Sequence, residues 1–288
     1  MRRWWSVPTW LFIFVAAVAV AGPLALGSAG TASGVQPINF TRGTVAGLGF
    51  TTSQPSALEF GPDGRLYVAD WNGRIQALTL DPNTKQVTAV QQLTTNTQMQ
   101  EVFGIAFDPS DASSPAPVYV TNTISGFGDA GQAPPGSYPG KITRISGAGY
   151  ATRTDVITGL PASNSGHQAN GVAFGPDGRL YISHGSTTNA GVTSLSSGLF
   201  TREEVPLSGA MLVADIHAAG FDGNIVYNPT GTYGNSVVQV AGDVDVFAYG
   251  LRNPYDLVFH SNGYLYSTDN GPNPGYGAGS VTCTTDDG

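Results

Sequence analysis

The sequence predicts an all-β fold, a β-propeller with about four blades in this chain. The first observation behind this is a strand–turn–strand unit that recurs four times. It reads SALEFGPDGRLYVAD at 56–70, FGIAFDPSDASSPAPVYVTN at 103–122, NGVAFGPDGRLYISH at 170–184 and YDLVFHSNGYLYSTD at 255–269. Each unit ends its first strand in Phe (Phe60, Phe107, Phe174, Phe259) and carries a Tyr in its second (Tyr67, Tyr119, Tyr181, Tyr266). The second observation is composition: 39 Gly in 288 residues, 11% charged and 41% hydrophobic residues describe a turn-rich β protein rather than a disordered chain. The third is that no segment keeps a helical period over three turns. Sheets of about four short strands, repeated with variable loops, match propeller blades. A β-sandwich is the alternative, but it gives no reason for one motif to appear four times.

The elements follow in order. Residues 1–34 lie outside the fold: Arg2 and Arg3 precede the apolar run Trp10–Ala21, the layout of a secretory signal with Ala19-Val20-Ala21 as a cleavage site. An uncleaved anchor is the alternative, although the run is short for a span of about 20 residues. The propeller domain is expected over 35–288. Thr44–Phe50 reads as a lead-in strand, and the first repeat is followed by strands at Arg74–Leu80 and Gln86–Leu93. The second repeat runs from Glu101 and is interrupted by a Gly/Pro-rich loop, Ser125–Gly140. Lys141–Ile145 and Asp155–Leu160 complete it. The third begins near His167, with strands expected at Leu199–Val205 and Met211–Val213. Ala218–Gly234 reads as a polar loop region holding Asn224–Tyr227, and Val238–Ala248 as the lead-in to the fourth repeat. Gly275–Gly288 is mostly Gly, Ser, Thr and Asp, so the chain is expected to stop partway through a longer propeller. The Gly-Pro-Asp-Gly segments at 61–64 and 175–178 read as turns, Pro supplying φ near −65° and Gly the relaxed position.

Charge narrows the function classes. Acidic residues number 20 against 12 basic, a formal net charge of −8, which lacks the phosphate-neutralising surface that nucleic-acid binding requires. Anionic membrane surfaces are disfavoured for the same reason. Export leads to an oxidising compartment. Cys283 is the one cysteine, so no disulfide can form within the chain.

Equal offsets within equivalent repeats mark equivalent places. His167 stands 7 residues before Phe174, and Arg252 stands 7 before Phe259. Ser53 and Gln100 hold the same offset in the first two repeats. Three residues past each Tyr stand Asp70, Asn122, His184 and Asp269. One rim is therefore expected to collect a His, an Arg and several carboxylates or amides, a lining suited to a binding funnel. The plain structural roles are a braced strand entry for Arg252-Asn253-Pro254 and a turn for Asp269–Asn273. His217 and His260 read as surface residues.

Two stretches carry a family resemblance. Tyr249-Gly250-Leu251-Arg252-Asn253-Pro254, the hairpin behind it and Asp269-Asn270-Gly271-Pro272 resemble the soluble quinoprotein glucose/sorbosone dehydrogenases. Gly166-His167 with the following GVAFGPDGRLY resembles that family's catalytic-histidine blade. The resemblance covers about residues 50–273, and it implies a six-bladed propeller, the quinone PQQ and calcium. It implies that His167 removes the proton of a sugar hydroxyl while hydride passes to calcium-bound quinone. Arg252 and Asn253 then correspond to residues that hold the quinone and stabilise charge on it, with Asn270 beside them. Gly271 and Pro272 correspond to positions whose backbone carbonyls hold calcium. The chain departs from the pattern at Ser186, where relatives place an acidic residue that orients the histidine, and at Tyr255, where they have Gln.

The resemblance thus implies an exported, secreted or periplasmic, PQQ-dependent sugar dehydrogenase with a small-molecule sugar substrate and an electron acceptor, free of the membrane once the signal is cleaved. A non-catalytic exported propeller that binds glycans or proteins is the second reading. A lactonase-like hydrolase with a central metal is the third, and it needs more inward carboxylates than Asp70 and Asp269.

Overall fold

The recurring Phe and Tyr explain how the sheets stack. The computed structural model describes residues 54–94, 99, 101–123, 138–164, 166–193 and 200–272. Strands β1 (Pro55–Phe60), β2 (Leu66–Asp70), β3 (Ile75–Leu80) and β4 (Val87–Thr94) form the first antiparallel sheet. β5 (Ile105–Phe107), β6 (Val118–Asn122), β7 (Gly140–Ser146) and β8 (Thr152–Leu160) form the second. The third joins β9 (Ala169–Phe174), β10 (Leu180–His184), β11 (Ala210–Ala214) and β14 (Asp245–Tyr249), after an inserted hairpin of β12 (Val226–Asn228) and β13 (Val238–Ala241). β15 (Pro254–Phe259) and β16 (Leu265–Asp269) open the fourth. These are blades of a β-propeller: three complete sheets and the first hairpin of another.

Each repeated Phe ends the first strand of its blade, and each repeated Tyr lies in the second. The Tyr of one blade meets the Phe of the next edge to face, at 4.8 Å for Tyr67–Phe107, 5.1 Å for Tyr119–Phe174 and 4.9 Å for Tyr181–Phe259. Such pairs add about 0.5–1.5 kcal/mol beyond the area they bury. The core is accordingly a set of layers between blades. Tyr67, Ile75 and Ala77 pack on Ile105, Val118 and Val120, and Tyr119, Ile142 and Ile157 pack on Val172, Leu180 and Ile182. Central strands sandwiched in this way are buried on both faces, which is why β6 and β10 have no exposed residue.

Near the axis the first strands come closer than side chains allow. A Cβ on Gly104 would lie 2.6 Å from the Asn170 carbonyl, and one on Gly171, the same position in the next blade, 3.0 Å from the Asp256 Cα. The four first strands line a shared cavity of about 330 Å³. At the far end of each hairpin the three short turns share one geometry. Gly64, Gly178 and Gly263 have φ of 76°, 79° and 86°, the left-handed region that Gly occupies without strain.

The structure corrects three expected elements. Residues 200–205 of the expected strand Leu199–Val205 form no strand. Their apolar side chains Phe200 and Val205 are buried in a loop instead. The expected loop at 218–234 contains β12, paired with β13. Val238–Ala248 is not one lead-in: it splits into β13 and β14, and β14 pairs with β11 as the outer strand of the third blade. Residues 1–53 (with the signal, Thr44–Phe50 and Ser53), Gln100 and 273–288 (with Cys283) lie outside the described residues.

Candidate active site

His167 lies in the connection from β8 to β9. A reciprocal turn fixes it: its N–H donates to Ser163 Oγ at 2.9 Å, and its carbonyl accepts from Ser163 N at 2.8 Å. The side chain is 5% exposed. Nδ1 sits 3.1 Å from the carbonyl oxygen of Ser186 in the loop after β10. Only an Nδ1–H can make that bond, so the lone pair of a neutral ring lies on Nε2. Burial, followed by the nearby Arg252 charge, pushes the His167 pKa down to about 4. The Ser186 carbonyl and the carboxylates of Glu204 and Asp269 act in the opposite direction. His167 is therefore a neutral imidazole at pH 7, the state a base requires.

Arg252 enters the fourth blade from the same side. Its carbonyl accepts from Ser186 N at 2.7 Å, so one residue touches both His167 and Arg252. The guanidinium is held by Asn189, Nε donating to the backbone oxygen at 3.1 Å and Nη2 to the side-chain Oδ1. Nη1 donates to the Asn270 carbonyl at 3.3 Å. Burial lowers the Arg252 pKa and the Asp269 charge offsets this. Phe200 packs against both groups, its ring 4.7 Å from His167 and 5.8 Å from the Arg252 carbon.

Asn253 and Asp269 complete the entry. The Asp269 carboxylate accepts from Arg252 N at 3.2 Å and from Asn253 N at 2.7 Å. Asn170 Nδ2 donates to Asn253 Oδ1 at 2.9 Å and to the Pro254 carbonyl at 2.8 Å. The oxygen of the Asn253 amide is thus engaged, and its NH2 is the donor left to meet a ligand. Pro272 lines one cavity of about 370 Å³ with Ser186, Asn189, Glu204 and Arg252, and neighbouring Gly271 has open space where a Cβ would stand.

Other expected rim residues are placed differently. His184 is fully buried, with Nε2 at 3.0 Å from the Pro161 carbonyl and Nδ1 at 2.9 Å from that of Gly185. It lines no funnel, because the strand turns it into the blade. Asn122 donates to Thr143 at 2.8 Å within its own sheet, and Asp70 accepts from Arg74 N at 3.1 Å as a turn cap. His217 reaches Asp108 at 2.7 Å, and His260 stays in its turn. Three neighbours of the site carried no signal in the repeats: Asn189, Phe200 and Glu204 lie in the long loop after β10, outside any repeated offset. The clue to Glu204 was rarity, since the chain has four Glu and two are adjacent at 203–204.

Comparison with known proteins places this chain in a family. A model described as glucose/sorbosone dehydrogenase matches residues 52–276. Quinoprotein glucose dehydrogenase B of Acinetobacter calcoaceticus is 26% identical over 238 residues, covering 77% of this chain and 47% of the relative. The chain therefore spans about half the length of that curated relative. The PQQ-bound form of aldose sugar dehydrogenase from Streptomyces coelicolor shares the fold, with a TM-score of 0.51 at 22% identity over 81% of this chain and 60% of that one. The matched region takes in His167, Arg252, Asn253 and the Asp269–Pro272 exit, and the chain belongs to the glucose/sorbosone dehydrogenase family.

Proposed function

We propose that this chain is the histidine-bearing part of an exported PQQ-dependent sugar dehydrogenase. The observation that carries the reading is a neutral, nearly buried His167 whose Nδ1 is tied to Ser186 while Arg252 is tied to the same residue. The donor set fits a planar anionic quinone and a hard cation. Arg252 and the Asn253 amide would hold the quinone's oxygens, with Asn270 supporting Arg252 through its carbonyl. The backbone carbonyls of Gly271 and Pro272 would hold calcium, a cation that takes oxygen ligands. Pro272 shares a cavity with Arg252, which puts these two donor types side by side. When bound, the quinone supplies a hydride acceptor.

The chain's own residues supply the rest. His167 Nε2 takes the hydroxyl proton of the sugar, and the Ser186 carbonyl stabilises the imidazolium that forms. Arg252, always protonated, stabilises negative charge developing beside it. Asn189 keeps the guanidinium plane fixed, so no reorganisation is needed as charge develops. Phe200 packs edge to face on the imidazole at 4.7 Å and covers one side of it. The signal-like residues 1–34 support a secreted or periplasmic location.

The test is titration of the purified full-length protein with PQQ and calcium, read by absorbance and by dye reduction with an aldose. Calcium-dependent binding with dye reduction is expected. Absence of PQQ binding with and without calcium would turn the reading to a non-catalytic exported propeller.

A further inference from the structure

We propose that Glu204 is the positioning residue of His167, acting through the Ser186–Thr188 loop and not by touching the imidazole. The inference rests on the dehydrogenase reading for its catalytic meaning, but its structural content stands on hydrogen bonds. Glu204 Oε2 accepts from Thr187 N at 3.0 Å, Thr187 Oγ1 at 3.0 Å and Ser208 Oγ at 2.6 Å. Oε1 accepts from Thr188 N at 2.9 Å and from Thr188 Oγ1. Five donor atoms thus lie within reach of one carboxylate, with the Glu203 carbonyl, at 2.7 Å, competing for the Thr187 hydroxyl and the Val205 carbonyl, at 2.7 Å, for that of Ser208. They hold its pKa below the usual range although burial pushes the other way, so the group is ionised.

The loop is also tied by Ser186 N to the Arg252 carbonyl at 2.7 Å and by Thr187 Oγ1 to the Glu203 carbonyl at 2.7 Å, but no strand pairing holds it. β10 ends at His184 and no sheet ladder reaches residues 186–188. Thr187 and Thr188 are almost fully buried, so their N–H groups need an internal acceptor, and Glu204 is that acceptor. Ser186 Oγ folds back on the Thr188 carbonyl at 2.5 Å, which couples Ser186 to the segment that Glu204 clamps. Ser186 then presents its carbonyl to His167 Nδ1 and its N–H to the Arg252 carbonyl. The position of that carbonyl selects the tautomer, because a bare Nδ1 would set two lone pairs against each other. Glu204 therefore determines that Nε2 is the basic nitrogen. It does at one remove what an acidic side chain at position 186 would do directly.

The experiment is long-range proton–nitrogen NMR of the imidazoles in the purified, nitrogen-15-labelled protein at pH 7, without any cofactor. His167 is assigned by loss of its signals in His167→Asn. In the parent protein His167 is expected as the pure Nδ1–H form. Glu204→Gln places an NH2 against donor N–H groups, and a mixture of tautomers is expected, with His217 unchanged as a control for folding. Glu204→Asp is expected to restore part of the Nδ1–H form. Thr187→Val with Thr188→Val removes both threonine hydroxyls from beside Glu204, keeps the charge and serves if Glu204→Gln does not fold; a minor second tautomer is expected. With PQQ and calcium bound to the full-length protein, Glu204→Gln should lower kcat about 10–100-fold, the size of loss seen when an outer hydrogen-bond partner that orients a metal-bound imidazole is removed, with KM for sugar little changed. A folded Glu204→Gln with an unaltered His167 tautomer overturns the proposal, as does an unaltered tautomer in the double Val variant. The expected tautomer shift in a protein that never reduces dye would support the positioning role and overturn the dehydrogenase reading instead.

Discussion

The hairpins of the first and third blades are nearly the same object at one end and unlike at the other. Both carry the turn GPDGRLY. In both, the turn Asp takes Arg Nε at 2.7 Å and Tyr OH at 2.9 Å: Asp63 with Arg65 and Tyr67, Asp177 with Arg179 and Tyr181. Past the second strand they part. The first blade reaches its third strand through residues 71–74, a tight turn capped by Asp70. The third blade takes residues 185–209, and that loop supplies Ser186, Asn189, Phe200 and Glu204. A repeated scaffold fixes where a strand begins, and a single lengthened connection turns one such beginning into a candidate site.

Replacing the proposed base should separate the two blades most sharply. His167→Ala in the full-length protein loaded with PQQ and calcium is expected to lower kcat on the order of 10²–10⁴-fold. Its thermal midpoint should fall little. Gly61→Ala in the first blade should do the reverse, because a Cβ there meets the Tyr67 ring at 2.6 Å, far from His167. Comparable activity loss in both would mean that the site is not confined to the third blade's side. Arg252→Lys comes next. A point charge cannot reproduce the two-nitrogen grip on Asn189, so PQQ affinity should weaken about tenfold to a hundredfold by absorbance titration.

What the sequence made legible follows the same division. The repeated hairpins, their Phe and Tyr and their turns depend on local spacing, so the residues announce them. His167 and Arg252 could be aligned because they keep a fixed offset from a repeated Phe. The loop after β10 has no counterpart to align with, and there the reading misplaced a strand over 199–205. β14 was hidden for another reason. It joins its sheet only after the inserted β12–β13 hairpin, and every one of its residues is exposed, so no alternation marks it. Glu204 could not be linked to His167 at all, because the link runs through backbone groups of residues 186–188.

Acid should strike the third blade first. All four histidines lie at or beyond position 167, and the first blade has none. His167 and His184 both hold pKa values of about 4 in the fold, chiefly through burial, against 6.5 when free. The unfolded chain therefore binds more protons than the fold between these limits. Stability is fully present above about pH 6.5 and is lost as pH falls toward 4. For His167 the whole window amounts to about 3 kcal/mol. Urea midpoints measured from pH 7.5 to pH 4 should decline over that range, and His184→Asn should flatten the decline. A midpoint that is constant down to pH 4.5 would show that the imidazoles are not held neutral by burial.

The smallest expected effect tests how alike the two turns are. Tyr67 OH lies 2.7 Å from Tyr150 OH, takes Arg65 Nη2 at 2.8 Å and donates to Asp63. Tyr181 OH has Asp177 and, at 3.1 Å, Arg179, with no second Tyr among the described residues. The rings themselves pack alike, so Tyr→Phe leaves the contact with the next blade's Phe and removes only the hydroxyl. Tyr67→Phe is expected to cost about 1 kcal/mol, the usual net value of a hydrogen-bonded hydroxyl, with the Tyr150 OH left short of one partner. Tyr181→Phe should cost less, because its hydroxyl has fewer partners and its clamp lies nearer solvent. Neither change should alter the His167 tautomer, since both hydroxyls belong to the turn end of their hairpins. Urea denaturation of the two variants, paired with the imidazole NMR measurement, decides it. Equal losses would mean that Tyr150 adds nothing, and a tautomer change in Tyr181→Phe would mean that the two ends of the third blade are coupled.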